Sequence, residues 1–276
     1  MGDRLIRTPE DEEFAEADEI LSDLRKKADT GEGDLPWGDC LSRSWEDGVL
    51  RVTRSYATGS DASSPDVIIQ EFPYSAHPCS GVGGTGGMVW PGAIVLASQL
   101  RARPELLSDA TVVLELGAGC GLPGLAAASL LRRDGGARRV ILTDGPEAVL
   151  TNLEHNARAN EERVAPVALE VAKLIWEELL DGTTPPPAKA VDVLLGSDVI
   201  WGDRGPMVGR VARLLVRPGG WLIISAQKGR EGLDTFQRLL CSSEEASLGP
   251  TFSVEVLEEE MNGEAFLVFI CHRLPA

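Results

Sequence analysis

The sequence predicts an α/β fold built on a doubly wound, mostly parallel sheet, and three features carry that prediction. Apolar runs at 111–116, 139–143, 165–171, 191–198 and 220–225 alternate with helix-like segments at 122–133, 146–158, 172–180 and 204–216. A glycine-rich turn from Gly117 to Gly124 joins the first run to the first of these helices. The C-terminal part breaks the alternation, because 251–260 and 265–273 are strand-like runs about the turn pair Asn262-Gly263. The expected architecture is a seven-stranded, Rossmann-like sheet with helices on both faces and an antiparallel C-terminal hairpin at one edge.

The elements before this core are read in order. Residues 1–34 hold 12 acidic and five basic residues, a net of −7. Thr8-Pro9-Glu10-Asp11 has the layout of a helix start, with a cap, a proline in the first turn and acids behind it. Phe14, Ala17, Leu21 and Leu24 recur at steps of three and four, and Arg25 to Lys27 suit a helix C-terminus. A helix is expected near 9–28, then a loop over 29–48. Runs 50–57 and 66–74 read as two strands of a short β extension. Five of the eight residues in 80–87 are glycine, which marks either a linker or backbone lying close to something. Pro91 opens a helix with Ile94, Ala97 and Leu100 on one face. Two units result: an acidic helix and linker at 1–48, and the α/β domain at 49–276.

Composition bounds the function. The chain has 276 residues, 43% hydrophobic and 25% charged, with a net charge of −17. Such acidity disfavours a grip on phosphate backbones, so no nucleic-acid partner is expected. It favours basic protein partners, or serves solubility alone. No apolar run reaches the ~18 residues of a membrane span, and the first residues lack a secretory layout, so no membrane association is expected. Ile6 stands where N-myristoylation wants Ser or Thr. Five scattered cysteines without a CxxC pair, and three histidines, argue against disulfides and against a metal site. The expected compartment is reducing, the cytoplasm with the nucleus also open, and the expected state a monomer.

The segment 112–124 is the most informative. Gly119, Gly121 and Gly124 fit G-x-G-x-x-G after a strand, and Asp144 follows at the end of the next strand, where an acid binds ribose hydroxyls. This points to an adenosine-type coenzyme. Glu115, two residues before Gly117, is expected at the mouth of the loop. There a carboxylate would repel a pyrophosphate and welcome the cationic, phosphate-free S-adenosylmethionine. The competing reading makes Glu115 a strand-end acid that caps the following turn.

The segments 89–96 (VWPGAIVL), 114–125 (LELGAGCGLPGL), 141–144 (ILTD), Asn152 to Asn156 and 194–201 (LLGSDVIW) occur in an order that resembles the seven-β-strand protein-lysine methyltransferases, the group that includes the calmodulin-lysine and valosin-containing-protein-lysine enzymes. The resemblance covers about 50–273. It implies that S-adenosylmethionine is held by Trp90 lining the pocket, by the backbone of Gly117, Ala118 and Gly119 under the methionine part, by Asp144 at the ribose, Trp176 at the adenine and Ser197 touching the coenzyme just before the catalytic strand end. It implies that Asp198 and Trp201 form the Asp-x-x-aromatic signature beside a substrate amine. Trp201 replaces the family's Tyr or Phe, so arginine or histidine acceptors stay open beside lysine; Trp176 lacks the usual flanking Asp and Gly, a departure that bears on the adenine place and not on the coenzyme class. The implied substrate is a protein that is basic or presents an exposed lysine. A non-catalytic binding protein and an NAD-dependent oxidoreductase are the competing classes, the latter weakened by the absence of a Tyr-x-x-x-Lys pair.

Overall fold

The computed structural model describes residues 39–46, 49–58, 66–75, 85–132, 137–241 and 251–275. In chain order these form β1 (Asp39–Glu46), β2 (Val49–Tyr56), β3 (Val67–Ser75), α1 (Pro91–Ala102), β4 (Val112–Leu116), α2 (Leu122–Leu131), β5 (Arg139–Asp144), α3 (Glu147–Val164), β6 (Ala168–Lys173), α4 (Trp176–Asp181), β7 (Val191–Ser197), α5 (Arg204–Leu215), β8 (Val216–Gln227), α6 (Leu233–Cys241), β9 (Phe252–Met261) and β10 (Glu264–Arg273). The main sheet has the order β6-β5-β4-β7-β8-β10-β9. Its first five strands run parallel, and β10 pairs antiparallel with both β8 and β9. Chain progression reverses between β4 and β7, so the loops after these two strands face one crevice at the sheet's carboxyl edge.

Strand alternation sorts the core into two layers. Val113, Val140, Leu142, Leu195 and Ile223 share one cluster with α1 and α2 residues such as Leu96, Leu100 and Leu125. Leu114, Leu116, Ile141, Leu194 and Ile224 share the opposite cluster with Val208, Val211 and Leu215 of α5 and Phe236 and Leu240 of α6. Strands covered on both faces carry no polar alternation, hence the continuous apolar runs in the sequence. Helix α2 is buried at all ten positions, which its composition of Leu, Ala, Gly, Pro and one Ser permits.

A second sheet, β1-β2-β3, is antiparallel throughout. The outer edge of β3 is met by side chains. Asn152, Asn156 and Asn160 lie four residues apart on one face of α3. Asn160 accepts from the Ile68 N–H at 2.8 Å and donates to the Ile68 carbonyl at 2.7 Å. Asn156 does the same with Gln70 at 2.8 and 3.1 Å, and Asn152 donates to the Gln70 carbonyl at 3.0 Å. A carboxamide has a donor and an acceptor side by side, as a peptide group does, so each rung continues the ladder of β3.

The parallel strands, the helix opened by Pro91 and the hairpin lie where the sequence predicts them. Three places differ. Residues 39–46 form β1 although the segment reads as a loop, since its polar composition hides a strand whose register is set by pairing with β2. Helix α6 is unanticipated, although its buried Leu233, Phe236 and Leu240 stand at helical spacing; the sequence predicts no element over 226–250. The segment 172–180 divides into the end of β6 and a short α4 of six residues. The helix expected near 9–28 and most of the glycine stretch at 80–84 lie outside the described residues.

Candidate active site

A crevice of about 780 Å³ opens at the carboxyl edge of β4 and β7. Its walls include Trp90, Gly117, Ala118, Gly119, Asp144, Trp176, Ser197, Asp198 and Trp201, so nine of the ten residues singled out in the sequence are brought together.

The tenth, Glu115, is placed differently. Alternation along β4 puts it on the face of Val113, beneath α2, and it is fully buried. Its Oε2 accepts from the Gly124 N–H at 2.9 Å, while its Oε1 has no hydrogen-bond partner. Burial pushes its carboxyl up to about 8, against the Gly124 N–H that lowers it. The expected selection of a cationic coenzyme by a charge at the loop's mouth is therefore corrected. Glu115 is the strand-end acid of the competing reading, and it props the start of α2. Gly124 makes room for it, because a Cβ there would lie 2.7 Å from Glu115 Oε2 and 2.2 Å from Leu142 Cδ2.

The glycine loop itself supplies the selection. Gly117, Gly119 and Gly121 have φ of +55°, +52° and +85°, conformations that disfavour a side chain. Four of its N–H groups are bonded within the protein. Ala118 donates to the Thr143 carbonyl at 2.8 Å, Gly119 to Asp144 Oδ2 at 2.9 Å, Gly121 to the Ala118 carbonyl at 2.7 Å and Gly124 to Glu115. A pyrophosphate needs such groups free. Asp144 also accepts from the Gly145 N–H at 2.8 Å. Burial raises its carboxyl above the usual range, with both N–H groups opposing. Each carboxylate oxygen keeps a lone pair for a ribose hydroxyl.

Asp198 closes the other end. It follows β7 at φ +52°, a left-handed conformation for a non-glycine residue. Its Oδ2 accepts from the Gly92 N–H in the first turn of α1 at 3.1 Å, and its Oδ1 is buried without a hydrogen-bond partner. A Cβ on Gly92 would lie 2.2 Å from that Oδ2, so only glycine there lets the carboxylate reach the helix. Burial raises the Asp198 carboxyl; the nearby Arg230 charge and the Gly92 N–H oppose the rise. Trp90, directly before α1, donates from Nε1 to the Thr85 carbonyl at 2.5 Å. Its backbone is steadied by buried Glu71, which accepts from the Val89 N–H at 2.8 Å, from Tyr56 Oη at 3.0 Å and from Arg54 Nε at 3.1 Å. Trp176 opens α4, and Trp201 lies three residues after Asp198. Cys120 also lines the crevice; burial pushes its thiol well above the usual range, which suits a wall and not a nucleophile.

Sequence reasoning missed Gly92, Glu71 and the two arginines of the wall, Arg204 and Arg230. Gly92 was within reach as part of the Trp-Pro-Gly segment. Arg204 lies three residues beyond Trp201 and was within reach of that motif; Arg230 meets the crevice only through the fold, and Glu71 acts on it through Val89.

A lysine methyltransferase family profile matches residues 79–239, more than half of the chain. The chain belongs to the lysine methyltransferase family. Histone-arginine methyltransferase METTL23 of Xenopus laevis is 37% identical over 118 residues, which cover 42% of this chain and 45% of that protein. Protein N-lysine methyltransferase METTL21A of Danio rerio is 36% identical over 118 residues, covering 43% and 49% respectively. Protein N-terminal and lysine N-methyltransferase efm7 of Neurospora crassa is 26% identical over 193 residues, covering 67% and 53%. The chain spans about half the length of the curated relatives it matches.

The family uses S-adenosylmethionine, and the residues present fit it. The loop's internally bonded N–H groups suit a coenzyme without phosphates. Its glycines keep the crevice clear: a Cβ on Gly117 would lie 2.9 Å from Val199 Cγ1 and one on Gly119 3.4 Å from the Gly86 carbonyl.

Proposed function

We propose that the chain is an S-adenosylmethionine-dependent protein N-methyltransferase whose acceptor is a lysine side chain. The observation that carries this reading is Asp198, buried at the crevice and held by α1 with one oxygen unpartnered, beside the partly exposed ring of Trp201. Asp144 would hold the ribose, Trp176 the adenine, Trp90, Ser197 and the backbone of Gly117, Ala118 and Gly119 the methionine part. The coenzyme supplies a methyl group on a sulfonium, open to in-line attack by nitrogen.

The protein's part is positioning. The Asp198 carboxylate at the crevice wall would accept from the amine N–H and so aim the nitrogen. The ring of Trp201 gives the amine an apolar wall, and desolvation there lowers a lysine pKa from its free value of ~10.4. The Asp198 carboxylate then stabilises the ammonium product. An arginine acceptor is the second reading, favoured by the METTL23 relative, which is named for histone-arginine methylation. The chain's charge of −17 supports a basic protein substrate. We place the activity in the cytoplasm, with the nucleus also open, and in a monomer. Incubating cell extract with the enzyme and isotopically labelled donor, then mapping the label by mass spectrometry, tests the reading. Label on lysine ε-nitrogen supports it, label on arginine selects the second reading, and no protein label in the presence of bound donor overturns both.

A further inference from the structure

Two arginines of the crevice have no part in the mechanism above. Arg204, the first residue of α5, holds its guanidinium 4.7 Å from the Trp201 ring centroid and 5.5 Å from that of Trp176. Arg230, in the turn after β8, lines the same crevice, and its buried Nε has no hydrogen-bond partner. Its charge is felt by Asp198. Elsewhere on the surface Arg103, Arg139, Arg158 and Arg217 each meet a carboxylate within 3.3 Å. Arg204 and Arg230 meet none among the described residues, in a chain that carries 43 acidic residues against 26 basic.

The placement of Arg204 opposes the helix that carries it. A cation at a helix N-terminus opposes the macrodipole, so Arg204 does not stabilise α5 by its charge. Lying over two indoles, the guanidinium uses its faces for stacking and keeps its N–H fork at the edge, free for a planar carboxylate. A protonated lysine approaching Asp198 would also meet the positive charges of Arg204 and Arg230 on the same wall. Carboxylates beside the acceptor lysine remove that conflict and fill both forks.

We propose that this site selects a lysine flanked by glutamate or aspartate, with Arg204 and Arg230 each receiving a neighbouring carboxylate. The inference rests on the methyltransferase reading and names its substrate class. It concerns the residues next to the acceptor, whereas the overall charge of the chain concerns the partner as a whole.

Three capped, fluorescein-labelled pentapeptides test it: Glu-Glu-Lys-Glu-Glu, Gly-Gly-Lys-Gly-Gly and Arg-Arg-Lys-Arg-Arg. Their binding to the full chain is followed by fluorescence anisotropy, with and without saturating S-adenosylhomocysteine. General electrostatics of an acidic chain would rank the Arg peptide first. The proposal requires the Glu peptide to bind about tenfold tighter than the Gly peptide, the worth of a charge-assisted hydrogen bond. Arg204→Gln and Arg230→Gln should each shrink that advantage, while Arg204→Lys and Arg230→Lys retain part of it. Equal or tighter binding of the Gly or Arg peptide to the unaltered chain overturns the proposal. So does a preference that survives in the double Gln variant. Calorimetric titration of S-adenosylhomocysteine is read separately, so failure of the donor assignment is distinguished from failure of the peptide preference.

Discussion

At Asp198 the chain holds a non-glycine residue at φ +52°, a conformation that costs on the order of 1 kcal/mol or more, and offsets it with a helix N-terminus. Replacing it with Ala should lower turnover about 100-fold or more while the dissociation constant of S-adenosylhomocysteine, read by calorimetry, stays within about twofold. The same variant loses the cap on α1 and should melt lower, by the equivalent of roughly 1 kcal/mol. Asp144→Ala should do the reverse and weaken coenzyme binding about tenfold or more, since its carboxylate fixes the Gly119 N–H and faces the ribose place. Glu115 gives a pH signature. Its carboxyl ordinarily titrates near 4.5 and is pushed by burial up to about 8. The folded state therefore holds a proton that the unfolded state releases first. That contribution is complete below pH 4.5 and is lost as pH rises through about 8. Glu115→Gln, neutral throughout, should flatten the fall of stability between those limits, as denaturant titrations at a series of pH values will show.

The asparagines of α3 act at the scale of the element. Asn156 serves Gln70 with both ends of its amide and also donates to the Cys120 carbonyl at 3.0 Å, tying the small sheet and the glycine loop to one helix. Asn156→Ala leaves the Gln70 N–H and the Cys120 carbonyl without their side-chain partner, while Asn152 still serves the Gln70 carbonyl, and should cost roughly 1–3 kcal/mol in chemical denaturation. Faster amide exchange at Gln70 would locate the loss at β3. The sequence reveals elements unevenly. Strands β4, β5 and β7 are legible because burial on both faces leaves mostly apolar runs, and β9 and β10 because they flank a clear turn pair. Strand β1 is hidden by its serines and charges, although Asp47-Gly48 between β1 and β2 is itself a strong hairpin signal. The crevice residues near motifs were legible for a related reason, that glycines and a strand-end acid have few other uses at those spacings. The orientation of Glu115 was not, because it depends on which helix covers its side of β4. Arg230 was not, because it follows β8 and only the assembled sheet brings it to the crevice, whereas Arg204 sits one turn after Trp201 and carries no motif of its own.

At the scale of the whole molecule, surplus negative charge and a site with fixed cations divide recognition by distance. Long-range attraction would draw the basic partner proposed above and is screened beyond about 10 Å at 0.1 M salt. Raising ionic strength should therefore lower kcat/KM for a folded protein substrate severalfold and leave the affinity for S-adenosylhomocysteine nearly unchanged, measured on the same preparation. The carboxamide rungs on β3 bear on the molecule's behaviour in company. An open strand border invites a foreign segment to add itself, and growth of that kind ends in insoluble fibres. Here the positions at Ile68 and Gln70 are already answered by side chains that cannot propagate the pattern. The same three amides that assemble the catalytic unit thus act as a terminator, and a chain stripped of them should be lost to precipitation before it is lost to unfolding.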